Sequence, residues 1–182
     1  MAKIKGNSNT TVITNPVRLS YANIWEPKSI NGSEPKYSVS LLIPKTDTET
    51  VELIKQAIEN AIQSGIGTYG GKIPPRGALK LPLRDGDTER DDDVYRGCWF
   101  INANSKTQPQ VVDSRVAPIL DRSEVYSGCW ANVSINFYPF SASGNKGVAA
   151  GLGNIQKVRD DNKLGGGSKA SDDFEEYDDL GL

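Results

Sequence analysis

Histidine is absent from the 182-residue chain. That absence removes His-dependent catalytic triads, HExxH metalloproteases and imidazole acid–base chemistry. Cysteine is scarce: Cys98 and Cys129 alone cannot build a four-ligand zinc site. In a reducing compartment they read as small core residues and not as a bridge. No apolar run approaches the 18 residues of a membrane span. The opening "MAKIKGNSNTTVITN" lacks the apolar stretch of a secretory signal, so the expected location is cytoplasmic. No feature calls for a cofactor.

Bases are missing from the C-terminal end. All 21 Lys and Arg lie at or before Lys169, and six of the 23 acids lie after it. Residues 1–170 thus set 21 bases against 17 acids, a net +4, and the remainder carries −6. Segregated charge of this kind points to a polyanion-binding body with an acidic interaction tail.

What is present reads as mainly β. In "VRLSYANIW", Val17, Leu19, Tyr21 and Trp25 share one side, with Arg18, Ser20 and Ala22 on the other. In "KYSVSLLIP", Tyr37, Val39, Leu41 and Ile43 alternate with Lys36, Ser38 and Ser40. Period-two alternation predicts half-buried antiparallel strands. One amphipathic helix interrupts them. "TDTETVELIKQAIENAIQSG" offers a Thr46-x-x-Glu49 capping box, an apolar stripe of Val51, Ile54, Ile58 and Ile62, and Gly65 as a stop. Residues 65–97 form a long irregular segment, of the kind that usually carries function, with Lys72, Arg76, Lys80 and Arg84 around Tyr69. Strands resume at "GCWFINANSK", "PQVVDSR", "GCWANVSINFYPFS" and "KGVAAGLGNIQKV". Gly-Cys-Trp occurs twice, but little around the two copies matches. From about Asn162 the composition is that of a flexible linker, giving a body over 1–161 and a linker plus acidic tail over 162–182.

The strand "CWANVSINFYPF" carries the strongest functional signal. Cys129, Ala131, Val133, Ile135 and Phe137 make a core face. The opposite face interleaves Trp130, Tyr138 and Phe140 with Asn132, Ser134 and Asn136, a poor core but a platform on which unpaired bases can stack. The strand at 98–106 repeats the pattern more weakly, with Phe100 and Lys106 beside Asn102 and Asn104. Lys28, Lys36, Arg76, Lys80, Arg84 and Arg96 are further bases able to meet phosphates. A β-barrel with one capping helix and an aromatic, basic face points to the OB class, whose open face binds single strands.

The chain resembles a family of phage-encoded single-stranded DNA-binding proteins with an OB-type barrel. The resemblance rests on "VRLSYANIWEP", "RGCWFINANSK", "CWANVSINFYPFSASGNKGVAAGLGNIQKVRD" and the tail "DDFEEYDDL", which together cover most of residues 10–182. It implies sequence-tolerant coating of displaced single strands in phage DNA replication and recombination. It also implies an acidic tail that recruits a polymerase, helicase or primase. On this sequence the tail contact falls on Asp172, Asp173, Phe174, Glu175, Glu176, Tyr177, Asp178 and Asp179. The tail is also long enough to fold back across a small barrel onto its own basic groove, about 25 Å as a flexible coil. The reading admits a homodimer.

Two rival readings stand beside this one. A metal-dependent nuclease would use the acidic run "RDGDTERDDD", although two-metal sites usually draw their ligands from separate rigid strands. A virion structural or assembly protein would also combine a β-barrel with a flexible arm.

Overall fold

The computed structural model describes residues 1–29, 31–164 and 174–177. Nine strands form one sheet: β1 (Lys3–Ile4), β2 (Thr11–Ile13), β3 (Val17–Lys28), β4 (Lys36–Pro44), β5 (Arg84–Asp85), β6 (Cys98–Ser105), β7 (Val111–Val112), β8 (Trp130–Ala142) and β9 (Asn145–Arg159). Helix α1 (Thr48–Ser64) lies between β4 and β6, and a one-turn helix α2 (Gly86–Glu89) follows β5. Five strands close on themselves in the order β3–β4–β6–β9–β8–β3. Every pairing in that ring is antiparallel except β6–β9. A closed, mainly β barrel with this connectivity is the OB-like fold that the alternation predicted. Among the described residues, no helix is long and apolar enough to cross a membrane.

The core fills the barrel from alternate positions. Leu19, Val39, Leu41, Ile101, Ala131, Val133, Ile135, Phe137 and Ile155 are all buried. Helix α1 closes one end with Val51, Ile54, Ile58 and Ile62, the predicted stripe. Each such side chain contributes roughly 1.5–3 kcal/mol of burial. The cap differs from the expected one. Asp47, not Thr46, is the N-cap and accepts from the Thr50 N–H at 3.1 Å. Glu49 reaches away to accept from the Ala2 N–H at 2.8 Å. Gly65 does end the helix, and the position has no room for a side chain: a Cβ there would sit 2.7 Å from Pro139 Cβ. Cys98 and Cys129 are free thiols, both pushed up in pKa by burial.

The largest departure from simple alternation lies in β3. Ser20 pairs with Ser40 and Asn23 with Ser38, so β3 spends three steps where β4 spends two. The extra residue is a β-bulge. Tyr21 sits in it at φ +47° and is 62% exposed. The bulge reverses the phase of the strand: Leu19 points inward before it and Ile24 after it. Tyr21, expected on the core side with Val17 and Leu19, therefore stands in solvent. Tyr69 moves the other way. It is buried and donates to the Gly147 carbonyl at 2.7 Å, which makes it a strut for the 65–80 segment.

Candidate nucleic-acid interface

Across the barrel's outer wall the register aligns one residue from each ring strand. Asn23 pairs with Ser38, Ser38 with Asn104, Asn104 with Gly151, and Gly151 with Asn136. Their neighbours Ile24, Val39, Ala103, Ala150 and Ile135 are buried, so these five positions face outward. They form a lane of small polar residues about 19 Å long, taking four inter-strand steps of ~4.8 Å. One end passes beneath Tyr21. At the other, the Tyr138 ring lies against Gly151, where a Cβ would come within 3.6 Å of Cε1. Tyr138 is 41% exposed.

A groove of about 380 Å³ runs along the β3–β4–β6 part of this lane, between Tyr21, Lys28, Ser38, Ser40, Asn102 and Asn104, with Arg90 above it. It continues into a second hollow bordered by Lys28, Lys36 and Lys106. Among the described residues, Lys28 and Lys36 have no ion-pair partner. Lys106 pairs with Glu34 at 3.3 Å, both well exposed, so the pair is weak and open to exchange. The amides of Asn102 and Asn104 have no hydrogen-bond partner among the described residues. These groups offer cations for phosphates and amides for base edges along one path.

Arg90 is held there by a small second cluster outside the barrel. Leu42, Tyr95 and Phe100 bury one another on the outer face, with Val94 and Cys98 packed alongside. The Tyr95 hydroxyl bonds both Ser20 Oγ and Ser40 Oγ at 3.2 Å. The Arg90 guanidinium lies 4.1 Å from the Tyr95 ring centroid and donates to the Tyr21 hydroxyl at 3.4 Å. Lys45 fastens the segment that carries Arg90 by donating to both Asp85 and Asp87 at 2.7 Å. Those bonds raise the Lys45 pKa and hold both carboxyls below their ordinary range.

The anticipated residues separate into groups. Lys28, Lys36 and Lys106 come together in the groove, and Tyr138 joins them along the lane. Arg84 lies 5.0 Å over the Phe100 ring, outside the groove's lining, and pairs with Glu89 at 2.9 Å. Phe100 itself is 1% exposed, so its reading as an open stacking ring is corrected: Tyr95 packs edge-on against it at 5.2 Å. Trp130 lies at the start of β8, away from the lane. Its indole donates to Asp161 at 2.9 Å, holding that carboxyl low in pKa, and the Arg159 guanidinium covers its ring at 4.5 Å. Phe140 and Lys80 meet at the far end of the β8–β9 hairpin through Gly147, which pairs with both. Arg76 is on the helix side, paired with Glu59, and Arg96 is paired with Asp93. Phe174, Glu175, Glu176 and Tyr177 are exposed, whereas Asp172, Asp173, Asp178 and Asp179 lie outside the described residues.

The acidic run does not build a metal site. Asp85 and Asp87 hold Lys45, Glu89 holds Arg84, Asp92 caps the Val94 N–H and Asp93 holds Arg96. Its carboxylates fasten a loop, and the two that converge, Asp85 and Asp87, do so on the Lys45 ammonium.

The family model described as Enterobacter phage Enc34, ssDNA-binding protein, matches residues 10–181. The chain belongs to this family. Protein p50 of Acyrthosiphon pisum secondary endosymbiont phage 1 is 34% identical over 174 residues, 92% of each chain. The structure of the single-stranded DNA-binding protein from bacteriophage Enc34 in complex with ssDNA superposes with a TM-score of 0.76. It is 27% identical, over 86% of this chain and 90% of that one. The bacteriophage T7 single-stranded DNA-binding protein gp2.5 shares the fold, with a TM-score of 0.61 at 19% identity, over 91% of this chain and 95% of that one. Membership in this family sets aside the virion and nuclease readings.

Tyr21 and Arg90 line the groove but are not among the sequence candidates. Tyr21 was hidden by its match to the core-side period, and nothing local announces the bulge. Arg90 lies inside the acidic run "RDGDTERDDD", and no local pattern sets it apart.

Proposed function

We propose that this protein binds single-stranded DNA without sequence preference along the outer lane, coating displaced strands in phage DNA replication and recombination. It is not an enzyme. The observation that carries this is the groove on the β3–β4–β6 wall, where cations, unpartnered amides and an exposed tyrosine share one path. Tyr21 and Tyr138 supply stacking surfaces, each worth about 1–3 kcal/mol per base. Lys28, Lys36, Lys106 and Arg90 neutralise phosphates. The membership of Enc34-type proteins supports the same reading.

The body over 1–161 does this work. The acidic segment from 162 onward recruits replication proteins such as a polymerase, helicase or primase. Its carboxylates speed capture, and Phe174 and Tyr177 add short-range contact. The expected place of action is the host cytoplasm. The same reading admits a homodimer, which sedimentation equilibrium of the free protein decides.

Titration with oligo(dT), followed by tryptophan or tyrosine fluorescence over a salt series, tests the DNA reading. Log K should fall linearly with log salt, at about −0.7 per phosphate contact. An affinity indifferent to salt, or equal for single- and double-stranded DNA at every salt concentration, would overturn it.

A further inference from the structure

Tyr21 combines wide exposure with a backbone at φ +47°, a conformation that residues other than glycine seldom adopt. Its neighbours hold it there. The Ala22 N–H donates to Ser127 Oγ at 2.9 Å, and the Asn23 side chain donates to the Tyr21 carbonyl at 3.2 Å. Ser20, on the other side, is bonded through its hydroxyl to Tyr95. These contacts set the direction of the Tyr21 Cα–Cβ bond toward the groove. They do not set χ1, and an exposed ring left to itself turns among staggered positions.

Arg90 supplies what the backbone cannot. Its guanidinium donates to the Tyr21 hydroxyl at 3.4 Å and stands 5.8 Å from that ring's centroid. Arg90 is itself anchored, 4.1 Å from the centroid of the buried Tyr95 ring. Its ion pair with Asp92, at 3.9 Å, is too long to account for that placement. The contacts close on themselves: Arg90 to Tyr21, Tyr21 to Ser20 along the chain, Ser20 to the Tyr95 hydroxyl at 3.2 Å, and Tyr95 back to Arg90. A planar guanidinium can lie on one ring and still point an N–H sideways at the hydroxyl of another. A lysine ammonium has no plane with which to do both.

Building on the reading of the outer lane as the single-strand path, we propose that Arg90 is a positioning residue for Tyr21. Beyond its charge, it clamps the ring in one rotamer over the lane before any strand arrives. A base then meets a ring already in place, and binding does not have to order that side chain. Arg90 thus contributes through the shape of its guanidinium as well as through attraction to phosphate.

The test uses the full chain, first without DNA. The two Hα–Hβ couplings of Tyr21, read by NMR, should be unequal in the wild type and average toward one value in Arg90→Lys. Tyr21→Phe, which keeps the ring and removes the acceptor, should show part of the same averaging at residue 21. In oligo(dT) titrations Arg90→Lys should weaken binding about fivefold, the cost of ordering one free side chain. Its salt slope should match the wild type, because the charge is kept. In a Tyr21→Ala background the same substitution should change affinity by less than about twofold. Couplings that stay unequal in Arg90→Lys overturn the proposal, as does a loss of equal size with and without the Tyr21 ring. If Tyr21→Ala leaves oligo(dT) affinity unchanged, the proposal falls together with the lane reading. Averaged couplings in free Arg90→Lys then identify the lane reading as the part at fault.

Discussion

On the β8 wall, Asn132 donates to Gln156 at 3.0 Å and Asn136 accepts from Thr10 and Thr11. Ser134 accepts from the Asn154 N–H at 2.7 Å. On the β4–β6 wall, Asn102 and Asn104 find no such partners among the described residues. The two walls share outward-facing amides, hydroxyls and aromatics, yet they differ in availability. Added strands and the 154–163 exit segment engage the β8 amides and cover Trp130. The β4–β6 wall is left open, and Lys28, Lys36 and Lys106 border it. A polar group that the protein already satisfies has less to offer a ligand than one left unpartnered.

The sharpest way to break the comparison is to remove what keeps the open wall in shape. Phe100→Ala should cost about 3–5 kcal/mol of stability, as large aromatic truncations in a packed cluster do, and should loosen Arg84 and Arg90 with it. Chemical denaturation reads the loss. A change near zero would mean that the outer cluster holds nothing.

Next come the groove cations. Replacing Lys28, Lys36 and Lys106 together by Ala should lower oligo(dT) affinity about a hundredfold at 0.1 M salt and flatten the salt slope by about 2. The same triple change at Arg76, Arg96 and Lys157, all of which hold acids elsewhere, should leave the slope nearly unchanged. Equal effects from the two sets would erase the distinction between the walls.

Tyrosine and tryptophan sharpen it further. Tyr21→Ala should weaken binding by about 1–3 kcal/mol at every salt concentration. Trp130→Ala should weaken it less, because Arg159 covers that ring. Asn102→Ala with Asn104→Ala should cost about 1 kcal/mol of affinity and little stability, whereas Asn132→Ala should do the reverse. Stopped titrations and thermal melts on the same samples separate the two outcomes.

The smallest expected effect is on pH. Asp85 and Asp87 have depressed pKa values in the folded state, so their contribution is present above the ordinary carboxylate value of 3.8 and is lost as pH falls below it. Lys45 has a raised pKa, so its contribution persists below 10.5 and is lost as pH rises past its folded value. The protection factors of amides in residues 85–97, which remove the intrinsic pH dependence of exchange, should therefore fall at both extremes and stay flat between about pH 5 and 9. Lys45→Met should abolish the alkaline limb and shrink the acid one, since backbone N–H groups still hold Asp85 and Asp87 low.

Much of this was legible in the chain. The alternation of "CWANVSINF" fixed which side chains fill the barrel, and the stripe from Val51 to Ile62 fixed the helix face, because both follow from periods of two and 3.6 that need no distant partner. Lys28, Lys36, Lys106 and Tyr138, named from residue type alone, lie along the groove and the lane. Composition likewise excluded histidine chemistry and segregated the charge.

Which of the plausible residues would meet was decided only by the tertiary structure. The extra residue in β3 turned Tyr21 outward. The cluster of Leu42, Tyr95 and Phe100 buried one predicted ring and lifted Arg90 over the lane. The exit of β9 closed the ring of Trp130. Each depends on a contact between segments far apart in sequence, formed when the barrel closes, and side-chain periodicity carries no information about which outward faces such contacts will cover.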